Sequence, residues 1–254
     1  ALGMDHVKEL GPTIADIASA KAGIIKPGSP VVSYGGVPEA DAVIARVAAE
    51  QHAPLRVVDF SKLTVEGGGL DEVTFDFDGL HGVRLPLIGS YQPKNAAVAI
   101  TALRVLRERG WNIPEEAIRK GLETVSWPGR FELLRHSPAF LLDGSHNAHG
   151  MRATVQSLKD RFPGQNFVFL LSIMADKDVA QPLAVVEKRI VNGDDGSSGI
   201  PEKRVHTLAQ ERFEQGLRPC DTRAGLLSFG SGCRVRIHGV VRFYSSSTMR
   251  TAPL

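Results

Sequence analysis

Residues 30–59 restrict the fold more than any other stretch of this chain. Pro30-Val31-Val32-Ser33 is a short apolar run, residues 39–51 form an alanine-rich segment of helical period, and residues 55–59 are a second short apolar run. A helix between two strands reads as a βαβ unit, and a connection of that length sets the strands parallel. Parallel strands need cover on both faces, so the chain belongs among α/β proteins. Downstream, Gly67-Gly68-Gly69 breaks the pattern, and Val73-Thr74-Phe75-Asp76-Phe77 alternates apolar with polar. Asp78-Gly79 and the run 83–88 then complete an expected antiparallel hairpin. A helix is expected over 95–109, stopped by Gly110, and another from Pro114 to about residue 123. Residues 126–130 read as a linker. A strand at 139–142, a helix at 148–162 and a strand at 166–172 then suggest a second α/β unit with its own core, giving two lobes hinged near residue 127.

Beyond Arg189 the periodicity degrades. Residues 193–199 are a Gly/Asp/Ser run, and after Asp221 no acidic residue appears while Arg223, Arg234, Arg236, Arg242 and Arg250 accumulate. Residues 233–244 suggest a basic strand pair; a disordered extension or a frame shift in the coding sequence accounts for this tail equally well.

Composition excludes several classes. The 254 residues suffice for one large domain or two modest ones. Thirty Lys and Arg against 28 Asp and Glu leave a net charge of +2, too little for a bulk nucleic-acid binder. No apolar run approaches the roughly 20 residues of a membrane span. Two cysteines, Cys220 and Cys233, are too few for a disulfide framework or a four-thiolate zinc site, which fits a reducing, cytoplasmic setting. The first six residues carry no export signal, and the chain reads as though it starts within a longer pattern.

Three groups of residues could carry chemistry. In the first, Thr13 and Asp16 have capping-box spacing, so a helix should run from residue 14 to about Gly23. Ile14, Ile17, Ala18 and Lys21 share one face of it. Lys21 either lays its stem on the core with its amine snorkelling out at the helix C-terminus, or is desolvated, which lowers a lysine pKa and frees a nucleophilic amine. A free amine takes up carbon dioxide to form a carbamate, an oxygen ligand suited to Mg²⁺, with the imidazole of His6 as a second group.

In the second, Gly89-Ser90-Tyr91-Gln92-Pro93-Lys94-Asn95-Ala96-Ala97, Asn95 is either a helix cap or an amide able to read an adenine edge. The third joins Trp127-Pro128-Gly129-Arg130-Phe131-Glu132 to Asp143-Gly144-Ser145-His146-Asn147. Asp143 falls at the C-terminal end of an expected strand, where open α/β sheets bind ligands; capping the next helix is the other reading. His146, His149 and Asp143 lack a third strong zinc ligand or an H-E-x-x-H motif. A Ser145–His146–Asp143 hydrolase lacks the G-x-S-x-G elbow.

Five stretches resemble one known family. The run G-M-D-H-x6-T-x6-A-K-A-G-I-I-K-P-G over residues 3–28 is similar to the central-domain signature of folylpolyglutamate synthases and dihydrofolate synthases, members of the Mur ligase superfamily. Residues 89–97 resemble that family's G-x-H-Q-x-x-N-A motif, residues 127–130 its W-x-G-R, 143–147 its D-G-A-H-N, and Met174-Ala175-Asp176-Lys177-Asp178 its M-x-D-K-D. The chain departs at Ala20 for glutamate, Tyr91 for histidine and Ser145 for alanine.

The resemblance implies a Mur ligase-like α/β fold: part of a three-layer central domain over 1–126, a Rossmann-like C-terminal domain over 127–190, and a divergent tail over 191–254. It implies an ATP-dependent ligase adding L-glutamate to folates or to dihydropteroate through an acyl phosphate. His6 and carbamylated Lys21 would hold Mg²⁺, Asn95, Arg130 and Asp143 would hold ATP, and His146 would lie by the reacting phosphate and the incoming glutamate. It further implies a cytoplasmic monomer with no nucleic-acid or membrane partner. The phosphate-cradling G-x-x-x-x-G-K-[ST] is not among these residues, so the expectation is an inactive fragment. A Mur-type ligase of cell-wall synthesis and a noncatalytic remnant that binds a nucleotide or a partner are the alternatives.

Overall fold

The structure is a computed structural model that describes residues 10–137, 139–165, 167, 169–174, 184–186 and 235–241. The chain forms two compact units, Ala1–Gly144 and Ser145–Leu254.

The first unit opens with helix α1 (Ile14–Ala22), started by the expected capping box: Thr13 Oγ1 accepts the Asp16 N–H, and the Asp16 carboxylate accepts the Thr13 N–H. Strand β1 (Val31–Ser33), helix α2 (Pro38–Glu50) and strand β2 (Leu55–Val57) form the expected βαβ unit, with Val31 opposite Leu55 in parallel register. Ala22 and Ile25 pack against Ala48 and Ala53, small side chains that let α1 and α2 approach.

A short 3₁₀ turn leads into strands β3 (Leu63–Gly68), β4 (Val73–Phe77) and β5 (Leu80–Leu85), an antiparallel sheet in that order. The hairpin at Asp78-Gly79 is present. Both turn residues have positive φ, +45° and +87°, as the type I′ turn that matches strand twist requires. The strand after it begins at Leu80 rather than at residue 83, directly behind the turn. Strand β3 was not expected. Its Gly67 and Gly68 read as a chain break, but they lie in an edge strand whose register shifts between Val65 and Gly67, a bulge that glycine accommodates.

Helix α3 (Gln92–Glu108) crosses β1, β3 and β4, and helix α4 (Glu115–Thr124) covers β5. Alternate residues Val73, Phe75 and Phe77 of β4 are buried, and Phe75 and Phe77 meet Ala96, Ala97 and Ile100 of α3 and Ile118 of α4 in the main core. Strand β6 (Glu132–His136), also unanticipated, pairs with the expected β7 (Ala139–Leu142) as an antiparallel hairpin.

In the second unit, helix α5 (Ala148–Arg161) is capped by Asn147, whose Oδ1 accepts the Gly150 N–H at 2.7 Å. Its Met151 and Val155 are buried with Val186. Strand β8 (Phe169–Met174) pairs antiparallel with a single strand β9 (Val235–Val241), which lies inside the stretch read as a strand pair.

Candidate active site

Asp143 follows directly on β7, at the strand's C-terminal end. Its Oδ2 accepts the Phe131 N–H at 2.8 Å, and the Gly144 N–H is donated to the Gly129 carbonyl, also at 2.8 Å. These two bonds fasten the W-P-G-R-F segment to the start of D-G-S-H-N. Gly129 and Phe131 both take left-handed backbone, φ +71° and +52°. For phenylalanine that conformation is costly, and it is held here because the ring is only 1% exposed. The Gly129 N–H is donated to Glu132 Oε2 at 2.7 Å, closing the turn.

This turn leaves Arg130 exposed, its guanidinium carbon 5.9 Å from the centre of the exposed Trp127 ring. A cation on a preformed turn beside a carboxylate suits a phosphate-bearing ligand that also carries hydroxyl donors.

The segment 89–97 reaches the same place. A Cβ on Gly89 would lie 3.4 Å from the Phe131 Cβ, and Tyr91, which caps α3, feels the charges of both Asp143 and Arg130. Burial first, then the negative charge of Asp143, pushes its phenol up to about 12, against the opposing effect of Arg130. Asn95 is not a cap, because α3 starts three residues earlier, with Pro93 in its first turn. It sits exposed one turn into the helix, where Nδ2 donates to Gln92 Oε1 at 3.0 Å. The carboxylate, the guanidinium and the start of the asparagine-bearing helix thus meet within the first unit. Tyr91 reads in the sequence only as a departure from a motif, and nothing there signals that Phe131 is left-handed.

Lys21 corrects the desolvation expected of it. Of the stripe Ile14, Ile17, Ala18 and Lys21, Ile17 and Ala18 are buried and Ile14 half-buried, but Lys21 is exposed. It lies in the last turn, on the rim of an apolar cleft lined by Ile25, Val32, Tyr34 and Ile44, while the packing continues past it through Ala22 and Ile25. As an ammonium it repels a divalent ion; only as a carbamate could it ligate one. His6 and residues 175–178 lie outside the described residues. Among the described residues no cluster of three or more His, Cys, Asp or Glu could hold a metal, and no helix is long and apolar enough to cross a membrane. In the second unit His146 is exposed just ahead of α5, and Ser145 Oγ is 2.8 Å from Thr154 Oγ1.

Residues 129–226 match the Mur ligase, glutamate ligase domain family. A folylpolyglutamate synthase of Lacticaseibacillus casei is 40% identical over 185 residues, covering 70% of this chain and 43% of that protein. A dihydrofolate synthase/folylpolyglutamate synthase of Bacillus subtilis is 36% identical over 183 residues, with the same coverage. The chain belongs to the folylpolyglutamate synthase/dihydrofolate synthase family. A solved folylpolyglutamate synthase complex with AMPPCP and folate superposes with a TM-score of 0.65 at 33% identity, over 74% of this chain and 47% of that one. The α/β architecture described above is therefore that of the folylpolyglutamate synthases, within the Mur ligase class. The chain spans under half the length of these relatives.

Proposed function

We propose that this chain supplies the nucleotide-holding and glutamate-side residues of an ATP-dependent ligase that adds L-glutamate to folates, to dihydropteroate, or to both. The observation that carries the reading is the W-P-G-R-F turn, which holds Asp143 through the Phe131 N–H, presents Arg130 and lies against Gly89 at the start of α3. Supporting it are the family membership and the relatives' names.

A carboxylate does not condense with an amine near neutral pH unless it is activated. In the proposed reaction the folate carboxylate attacks the γ-phosphorus of ATP and ADP leaves. The glutamate nitrogen then attacks the acyl carbon, loses its proton, and expels phosphate. Asn95 offers an amide edge to adenine, Asp143 accepts from the ribose hydroxyls, and Arg130 faces the phosphates with its fixed fork of donors. His146 takes the ammonium proton of the incoming glutamate. Mg²⁺, held by His6 and by Lys21 as a carbamate, would neutralise charge on the phosphoryl oxygens. The setting is the cytoplasm, as a monomer, without nucleic acid or membrane.

Titration calorimetry with ATP and Mg²⁺ tests the reading. Binding by the chain, weakened at least tenfold by Asp143→Ala and by Arg130→Ala, is expected; binding indifferent to both substitutions overturns it. Because the phosphate-loop motif does not occur among the 254 residues, incorporation of labelled glutamate by this chain alone is expected to be absent.

A further inference from the structure

Two carboxylates hold the turn that carries Arg130. From the end of β7, Asp143 accepts the Phe131 N–H at 2.8 Å; from the first position of β6, Glu132 accepts the Gly129 N–H at 2.7 Å. The two acceptors are neighbours in the hairpin, because Glu132 stands opposite Leu142 and Asp143 follows Leu142. Gly129 is gripped on both sides, since its carbonyl accepts the Gly144 N–H at 2.8 Å. Arg130 lies between the two gripped residues, and its guanidinium returns over the same strand end: a Cβ on Gly144 would sit 3.6 Å from Nη1 and 3.4 Å from the Gly129 carbonyl oxygen. Asp143 and Arg130 already have places in the nucleotide reading. Glu132 has none, and a half-buried acid beside a phosphate-facing cation works against an incoming anion.

We propose that Glu132 is a positioning residue: by accepting the Gly129 N–H it holds the 129–132 turn closed, so that Arg130 meets the phosphates with its backbone already fixed. This rests on the nucleotide reading of Arg130 and Asp143 given above. The turn needs such a hold. Gly129 and Phe131 flank Arg130 with φ of +71° and +52°, and phenylalanine left to itself relaxes to negative φ. Asp143 restrains the Phe131 side, but glycine is permissive, so the Gly129 side keeps its conformation only as far as its hydrogen bonds impose it. Without the Glu132 acceptor, Arg130 has to be ordered at the moment of binding, and that entropy is taken from the affinity. What the position calls for is an acceptor oxygen at this reach from the backbone, not a charge. A neutral amide of the same length should therefore serve as well as the carboxylate.

Two measurements on the full chain test this. The first is calorimetric binding of AMPPCP with Mg²⁺. Glu132→Ala loses one hydrogen bond to a charged acceptor, for which about tenfold weaker binding is expected, while Glu132→Gln should bind at least as tightly as wild type. Wild-type affinity in Glu132→Ala, or a loss in Glu132→Gln as large as in Glu132→Ala, overturns the role. In an Arg130→Ala background, Glu132→Ala should weaken binding by no more than about twofold, because the residue acts through Arg130; a further loss of about tenfold there marks general damage to the site and overturns the role. If Arg130→Ala itself binds as wild type does while Glu132→Ala is weakened, the nucleotide reading of Arg130 falls, and with it the purpose assigned to Glu132. Should Glu132→Ala fail to fold, Glu132→Gln is compared with Glu132→Asp, which keeps the charge but withdraws it by one methylene: tighter binding by the glutamine variant supports the role, and binding by the aspartate variant that equals or exceeds it overturns the role. The second measurement does not depend on nucleotide. The Gly129 amide proton resonance should move upfield in Glu132→Ala and less so in Glu132→Gln. A Gly129 resonance unmoved by Glu132→Ala overturns the bond itself.

Discussion

Asp143 holds Phe131 in a backbone conformation that phenylalanine rarely adopts: the carboxylate accepts the Phe131 N–H at 2.8 Å across twelve positions of sequence, with φ of Phe131 at +52°. Asp143→Ala leaves that N–H without its partner next to a fully buried ring. A loss of about 1–3 kcal/mol in urea unfolding is expected. Asp143→Asn keeps an acceptor oxygen and should lose less than half as much. Equal losses for the two variants would mean that charge, not the bond to Phe131, is what matters.

Arg104 ties the hairpin turn to α4. With a side chain only 16% exposed, it donates to the Asp78 carbonyl at 2.9 Å, to Asp78 Oδ2 at 3.1 Å and to Glu115 Oε1 at 3.0 Å. Its partners are partly solvated, so the pairs are worth less than fully buried ones. Arg104→Met, which keeps the stem volume, should cost about 2 kcal/mol. Arg104→Lys retains the charge but cannot span both partners, and should recover little of that loss. Thermal melts of the three proteins at neutral pH give the comparison.

The same cluster sets an acid limit. The Asp78 carboxyl is held below its ordinary range, first by the Lys62 hydrogen bond and also by Arg104. For Glu115 burial acts upward, but hydrogen bonds from Arg104 and Arg107 outweigh it and the group is again lowered. A carboxylate lowered by folding stabilises the fold above its unfolded pKa, about 4, and that contribution fades as pH falls through the lower folded value. Melting temperature should therefore be flat from pH 7 to about 5 and fall below about 4. In Arg104→Met the fall should be shallower, because less is left to lose. A slope unchanged by the substitution would place the acid sensitivity elsewhere.

The parts legible in sequence are those where one local signal suffices. The capping box at Thr13, the alanine-rich crossover between β1 and β2, and the Asp78-Gly79 turn each dictate their geometry within a few residues. What escaped depends on partners distant in sequence. Gly67 and Gly68 look like a break until β4 pairs with them, and Glu132–His136 lacks strand alternation but extends because β7 lies beside it. The site divides the same way. Arg130 and Asp143 could be named from motifs, whereas the Phe131 N–H that holds Asp143 matters only once the turn and the strand end meet. Lys21 shows the converse: it shares a face with buried residues, but whether that face is covered at its position depends on the cleft beside it, which α1 alone does not reveal.

That exposure sharpens what is to be expected of Lys21. An amine on the rim of an open cleft is reachable by dissolved carbon dioxide. Carbamylation in this chain should therefore increase when Mg²⁺ is present to bind the product oxygens. With ¹³C-bicarbonate, a carbamate carbon resonance is expected that strengthens on adding Mg²⁺. It should vanish in Lys21→Arg and persist in Lys26→Arg, whose parent amine instead donates to the Gly23 carbonyl at 3.2 Å. A resonance surviving Lys21→Arg, or one indifferent to Mg²⁺, would remove Lys21 from the metal-holding role.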